Sequence, residues 1–221
     1  LDAVLVHGPF GSIVPLARQL LACPPARRPA LVFLQGEQLP NPTLPEWLTY
    51  PLALLRSKIE RLAFQPPAGA EWPAGAWLRW LTSKGHRFRY LGDLHWLQRQ
   101  GLLSVLGVRS RWMAAYLQQR GFEPVFLPQT YNPKWGTNLN LPRDIPVWWL
   151  GNIATARRRR LLNRVRADLK LRGVELLVID GVEHPFVFDQ ARTELLNRTK
   201  VVINLLREKW DNNSLRYVLA A

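Results

Sequence analysis

The sequence predicts an α/β fold built from two doubly wound, mostly parallel sheets. Short apolar runs of strand length alternate with segments of helical periodicity along most of the 221 residues. A stretch rich in Pro, Asn and Gly interrupts this alternation once, over residues 128–146. The alternation indicates βαβ units, and the interruption indicates a boundary between two modules.

We therefore predict an amino-terminal domain at 1–130, a linker at 131–146 and a carboxy-terminal domain at 147–221. The predicted strands are Asp2–His7, Pro29–Gln35, Arg87–Leu91, Leu103–Val108, Pro124–Leu127, Val147–Leu150, Glu175–Ile179 and Val201–Leu205. The predicted helices cover 13–22, 46–64, 77–83, 93–100, 110–120, 155–172, 188–196 and 214–221. The last helical pattern has no stop signal, so we expect the second domain to be truncated at the carboxyl end.

Composition limits the function classes without choosing one. A single cysteine, Cys23, excludes an internal disulfide framework and favours a reducing compartment. The longest apolar runs fall short of the roughly 20 residues of a membrane span, so we expect a soluble, cytoplasmic protein. A net charge of +14 attracts nucleic acid, anionic lipid surfaces or phosphorylated ligands.

The stretch 144–166 gives the clearest indication of a ligand. An apolar strand leads through Gly151 and Asn152 into a helix that opens with four arginines, Arg157 to Arg160. A turn of this kind exposes backbone N–H groups and the positive end of a helix dipole, which favour phosphate. Arginine has the wrong sign for that end of the dipole, and its presence there suggests an anionic partner. Leu161, Leu162, Val165 and Leu169 share one helix face, which predicts that most of the arginines point away from the core.

Polar residues follow each predicted strand of the second half, where ligands bind in doubly wound folds. They include Asp180 to His184 after one strand and Arg207 after the last, with Lys200 just before it. In the first half, His7 ends the first strand beside a glycine-containing turn and is a candidate catalytic base. The histidines lack metal-site spacing, and there is neither an Asp-x-Asp pair nor a nucleophile motif. We predict a site that uses neither a metal nor a cofactor.

Four stretches resemble the GT-B glycosyltransferases, nucleotide-sugar-dependent enzymes that include bacterial members of the spore-maturation type. VRSRWMAAYLQQRGFEPVFLPQTYNP is similar to the end of their acceptor-side domain and the linker. VWWLGNIATARRRRLLNRV resembles the phosphate loop of their donor domain, and LLNRTKVVINLLREKWDNNSLRYVLAA resembles a later donor-domain segment. VHGPFGSIVPLARQLL is similar to their first acceptor-side turn.

The resemblance implies two Rossmann-like domains and transfer of a sugar from a nucleotide-diphosphate donor to a glycan, lipid or protein acceptor. It implies that the donor diphosphate is bound by Gly151, Asn152, Lys200, Asn204 and Arg216. The residue pattern adds Arg157 at the helix start and Arg207 after the last strand. The resemblance implies an acceptor-side loop of Gly8, Gly11 and Ser12, with His7 as the base. The family commonly has a glutamate near Val218, which is not acidic here.

Two other readings stay open from the sequence. The charge fits a basic nucleic-acid-binding protein, although the arginines belong to the α/β alternation. The departure at Val218 fits a catalytically silent GT-B-like subunit. The basic residues also allow peripheral contact with an anionic membrane at its inner face.

Overall fold

The computed structural model of this chain describes residues 1–8, 12–63, 85–128, 136–153 and 155–206. Within it the chain forms two compact units, Leu1–Pro128 and Gln129–Ala221. Both are α/β, and both sheets are parallel, as the alternation predicts. No described helix is long and apolar enough to cross a membrane.

The first unit contains four strands and four helices among its described residues. In chain order these are β1 Ala3–His7, α1 Val14–Ala22, β2 Ala30–Gln35, α2 Glu46–Ala63, α3 His86–Arg99, β3 Leu103–Val108, α4 Arg111–Gln118 and β4 Pro124–Phe126. The strands lie in the order β1-β2-β3-β4. Because this is also chain order, the reversal of strand order that a doubly wound sheet requires is not seen among these described strands.

The core of the first unit lies between the sheet and helices α1, α3 and α4. Leu31 and Phe33 of β2 alternate toward it, as do Leu106 and Val108 of β3. Helix α3 contributes three buried leucines at helical spacing, Leu91, Leu94 and Leu97. Helix α4 begins as predicted at Ser110, whose hydroxyl accepts a hydrogen bond from the Met113 amide at 3.3 Å.

One prediction in this unit is wrong. Residues 87–91 were expected to form a strand and 93–100 a short helix, but α3 is one continuous helix. Gly92, between the two predicted elements, is part of this helix. Helix α2 crosses α3 at this point, where a Cβ at Gly92 would lie 2.0 Å from the Ala53 carbonyl oxygen. The glycine permits close contact between two helices.

The second unit contains a smaller sheet with a different order. Its described elements are β5 Ile145–Leu150, α5 Ala156–Leu171, β6 Leu176–Ile179, α6 Asp189–Arg198 and β7 Thr199–Val202. The strand order is β6-β5-β7, so the chain starts in the middle, moves to one side and then crosses to the other. Trp149, Leu162, Val178 and Leu205 form its buried core. The helices predicted at 77–83 and 214–221 lie outside the described residues.

Candidate functional site

The strand order of the second unit reverses between β5 and β7, and the edge at the carboxyl ends of these strands, here called the β5–β7 crevice, is the candidate site. Neighbouring connections leave the sheet in opposite directions at such a point, and ligands of parallel α/β sheets bind there. Gly151 and Asn152 follow β5, and Ile203 and Asn204 follow β7. The Ile203 amide donates to the Trp148 carbonyl at 2.8 Å, which holds the segment after β7 beside β5.

The turn after β5 has the backbone that its sequence predicts. Gly151 has φ +154°, a conformation that residues with a side chain rarely adopt, and its amide donates to the Ile179 carbonyl at 3.0 Å. Thr155 then caps α5: its hydroxyl accepts from the Arg158 amide at 3.2 Å. The cap fixes where the helix begins, so the amides of its first turn are held at the carboxyl edge of the sheet.

Arg158 departs from the expectation that these arginines face solvent, because its side chain is only 2% exposed. Nε and Nη2 donate to the Leu205 carbonyl at 3.0 and 2.8 Å, and Nη1 donates to the Asn152 carbonyl at 2.8 Å. The guanidinium also lies 6.0 Å from the centre of the Trp149 ring. Arg158 therefore joins the turn after β5 to the segment after β7, and it is a structural residue of this crevice.

Arg157 lies beside it with a different role. Its Nη1 donates to the Leu206 carbonyl at 2.9 Å, and the side chain is half-buried. Within the described part of the chain, its Nε and Nη2 make no hydrogen bond. A guanidinium anchored by one nitrogen keeps its remaining donors in a fixed direction, as bidentate recognition of a phosphate requires.

The structure brings together four of the predicted donor-site residues. Gly151, Asn152, Arg157 and Asn204 all lie at the carboxyl edge around the β5–β7 crevice. Three other predicted residues, Arg207, Arg216 and Gly11, lie outside the described residues.

Lys200 does not belong to this group, which corrects the prediction. It lies in β7 between the residue pairs Ile145–Thr199 and Val147–Val201, at the amino end of the sheet. At about 3.3 Å per residue, its backbone is roughly 16 Å along the strand direction from Gly151. Its charge instead acts on Asp144, whose pKa is lowered mainly by the hydrogen bond from Arg198 and also by Lys200. The resemblance implied a donor-binding role for Lys200, but the register of β7 against β5 places this residue beside the start of β5.

The polar residues after β6 are occupied by their own turn. Asp180 is buried, and its Oδ1 accepts from the amides of Val182 and Glu183 at 2.8 and 2.7 Å. His184 Nδ1 lies 2.9 Å from the Val178 carbonyl, and Glu183 pairs with Arg166 of α5 at 2.6 Å. These contacts stabilise the loop after the edge strand β6. The candidate site therefore lies on the other side of β5, toward β7.

The first unit has its own polar carboxyl edge. His7 is exposed at the end of β1, and its Nε2 lies 2.5 Å from Nη2 of Arg109, which follows β3. Gly8 is buried with φ +66°, and its amide donates to the Leu34 carbonyl. Ser12 lies two residues before α1, and its hydroxyl accepts from the Val14 amide at 3.3 Å. The sequence reasoning missed Arg109, although its place directly after a predicted strand was a usable signal.

The contact with Arg109 indicates which nitrogen of the His7 ring carries the proton. A guanidinium only donates hydrogen bonds, so Nε2 must accept and the ring proton belongs on Nδ1. Nε2 of His7 is therefore an acceptor that Arg109 engages at this sheet edge. Across the described ranges, no group of three or more His, Cys, Asp or Glu residues is placed to hold a metal ion.

Comparison with known proteins does not identify the chain. No family model matches the chain, and neither a curated protein nor a solved structure matches it. What the chain does must be argued from its own residues.

Proposed function

We propose that the second unit binds the diphosphate of a nucleotide sugar and that the protein transfers the sugar to a hydroxyl acceptor without a metal. One observation carries the proposal. At the point where strand order reverses, a glycine turn, a capped helix start and the partly engaged guanidinium of Arg157 occur at the same sheet edge. Amides and a fixed guanidinium are groups that stabilise a phosphate anion.

In this proposal the leaving group is the nucleoside diphosphate. Its negative charge grows as the bond to the sugar breaks, and donors fixed in advance stabilise that charge more than they stabilise the ground state. Arg157 supplies the positive charge. Asn204 and the turn at Gly151 and Asn152 supply polar contacts around it.

His7 is the base in this proposal. Its Nε2 lone pair accepts the proton of an acceptor hydroxyl that binds at the carboxyl edge of the first unit. Because Arg109 donates to the same nitrogen, the acceptor hydroxyl replaces Arg109 when it binds. Arg109 is then available to contact the acceptor.

The first test is nucleotide binding by calorimetry, with UDP, GDP, ADP and dTDP as ligands. Arg157→Ala should weaken binding of the preferred diphosphate about tenfold or more, since a hydrogen bond to a charged group contributes about 1.5–3 kcal/mol. Arg164→Ala is the matched control, because Arg164 is exposed two turns further along the same helix. Its affinity should stay within about twofold of the wild-type value.

The position of Lys200 provides a second variant for the same binding experiment. Lys200→Ala should leave diphosphate affinity unchanged, because Lys200 lies at the amino end of the sheet. If no diphosphate binds, or if Arg157→Ala and Arg164→Ala weaken binding equally, the site is not where we propose it. A loss with Lys200→Ala alone would place the phosphate at the opposite edge.

A further inference from the structure

In helix α2 of the first unit, the usual amphipathic arrangement is reversed. Its buried side is polar or small, and consists of Thr49, Ala53, Arg56, Ser57 and Glu60. Its outward side contains large apolar residues, with exposed Lys58 among them. A helix that packs on a protein core normally has the opposite arrangement.

The outward side contains a regular row of large aliphatic residues, here called the α2 stripe: Leu48, Leu52, Leu55, Ile59 and Leu62. Their spacing alternates between four and three residues, so they lie along one line of the helix, over about 21 Å. Leu55 is 55% exposed and Leu62 is 51% exposed. Trp47, at the start of the helix, is 77% exposed.

The polar contacts with α3 prevent α2 from turning the α2 stripe inward. The Ser57 hydroxyl donates to Asp93 at 2.5 Å, and Glu60 accepts from Arg89 at 2.9 Å. Arg56, on the same buried side, also pairs with Glu60, at 3.2 Å. Rotation of the helix would bury apolar residues but would separate these charges and leave them without partners, at a large cost in free energy.

The charges and aromatic residues around the α2 stripe indicate its partner. Lys58 is exposed between Leu55 and Leu62 on the helix surface. At the other end, the Tyr50 hydroxyl accepts from Arg99 at 2.7 Å, close to the exposed Trp47. Leucines that enter the acyl region, aromatic residues at the headgroup level and cations toward the headgroups are the features of an interfacial helix.

We propose that the α2 stripe docks the protein on an anionic lipid bilayer, with α2 lying in the plane of the interface. A second copy of the chain is a poorer partner, because both copies carry +14. The stripe also spans only two heptads, whereas stable coiled coils need about three to four. This inference goes beyond the proposed function and does not depend on it, since it rests on the first unit alone.

The test is flotation of the full chain with vesicles of phosphatidylcholine, with and without about 30% phosphatidylglycerol. Wild-type protein should float with the anionic vesicles and bind the neutral ones much more weakly. Leu55→Glu and Leu62→Glu should each reduce the partition coefficient about tenfold or more, because each removes an apolar side chain from the acyl region and adds a negative charge.

Leu171→Glu is the matched control, since Leu171 of α5 is 88% exposed and lies in the second unit. It adds the same negative charge and removes the same side chain, so its partition should equal that of wild type within about twofold. Equal losses for Leu55→Glu and Leu171→Glu would show that net charge alone governs binding and would overturn the proposal.

A second measurement keeps the test independent of folding effects. Leu55→Cys and Leu171→Cys, each with Cys23→Ser, are labelled with a polarity-sensitive fluorophore. The label at position 55 should shift to shorter wavelength with anionic vesicles, and the label at 171 should not. No shift at 55 would contradict the proposal. A shift that instead follows protein concentration without lipid, together with a dimer in sedimentation, would assign the stripe to a second copy.

Discussion

Helix α3 contains two buried titratable residues, Asp93 and His95, whose contributions to stability change in opposite directions with pH. Burial raises the pKa of the Asp93 carboxyl to about 6, although hydrogen bonding from Ser57 and the nearby Arg89 act against the rise. Burial lowers the pKa of the His95 imidazole to about 4, with help from Arg99 and Arg120. His95 packs between Tyr50 and Phe122, and within the described part of the chain its Nε2 has no hydrogen-bond partner.

The signs of the two contributions follow from linkage. The folded pKa of Asp93 is raised, so its contribution to stability is present at acidic pH and is lost as pH rises through about 6. The folded pKa of His95 is lowered, so its contribution is present above the ordinary pKa of 6.5 and is lost as pH falls through about 4. Between pH 4 and 6.5 the two contributions therefore partly cancel in the wild-type protein.

Single substitutions should separate them. The stability of Asp93→Asn relative to wild type should increase as pH rises from 4 to 7, by on the order of 2–3 kcal/mol, because the variant no longer buries a carboxylate. The stability of His95→Phe relative to wild type should increase as pH falls from 6.5 to 4. Hydrogen exchange of the α3 amides in both variants measures these differences. Parallel curves for a variant and the wild type would show that the replaced residue titrates normally.

At the scale of elements, helix α5 shows how similar residues take different roles. Arg158 and Arg159 are neighbours in the sequence, yet one is buried against backbone carbonyls and the other is exposed. Periodicity predicts that most of these arginines lie outside and does not distinguish the two. The deciding factor is the presence of the Asn152 and Leu205 carbonyls, which need donors where the chain leaves β5 and β7.

Removal of the buried guanidinium should therefore weaken the second unit. Arg158→Met should lower the free energy of unfolding by about 2–3 kcal/mol, because it removes the hydrogen bonds from a buried guanidinium to the Leu205 and Asn152 carbonyls. Arg159→Met should stay within about 0.5 kcal/mol of wild type. Urea denaturation gives the loss, and exchange of the Ile203 amide, which bonds to Trp148, locates it. If the two variants are equally stable, Arg158 is not what holds the segment after β7.

Helices α2 and α3 show that periodicity can predict the bounds of a helix without predicting its buried side. The sequence predicts α2 well, at 46–64 against the observed Glu46–Ala63, because its length and periodicity are clear. It does not show which side of α2 is buried, since a row of leucines is ordinarily taken as the core face. The network formed with Asp93 and Arg89 reverses that choice, and these residues are distant in sequence.

At the scale of the whole molecule, a net charge of +14 affects every interaction with an anion. Exposed Arg159, Arg160 and Arg164 make α5 a basic surface in addition to the candidate phosphate site. General attraction to polyanions and specific binding of a diphosphate must therefore be distinguished. Their dependence on salt differs, because it follows the number of phosphates that are neutralised.

Binding of the preferred nucleoside diphosphate should weaken only modestly with salt, with a slope of log affinity against log salt of about −1 to −2, because few phosphates are neutralised. Binding of a single-stranded oligonucleotide should fall steeply and be lost near physiological salt. Calorimetry and fluorescence anisotropy over the same salt series measure the two. Oligonucleotide affinity that persists at physiological salt, without diphosphate binding, would favour the nucleic-acid-binding alternative over the glycosyltransferase proposal.

The sequence by itself determined the α/β class, the parallel sheets, most elements and the glycine turn at Gly151, because these depend on local periodicity and backbone chemistry. Only the tertiary structure decided which polar residues share an edge. The register of β7 against β5 removes Lys200 from the candidate site, and the β6-β5-β7 order places Asn204 beside Gly151. Strand order and register are set by contacts between residues far apart in the chain, which no local pattern records.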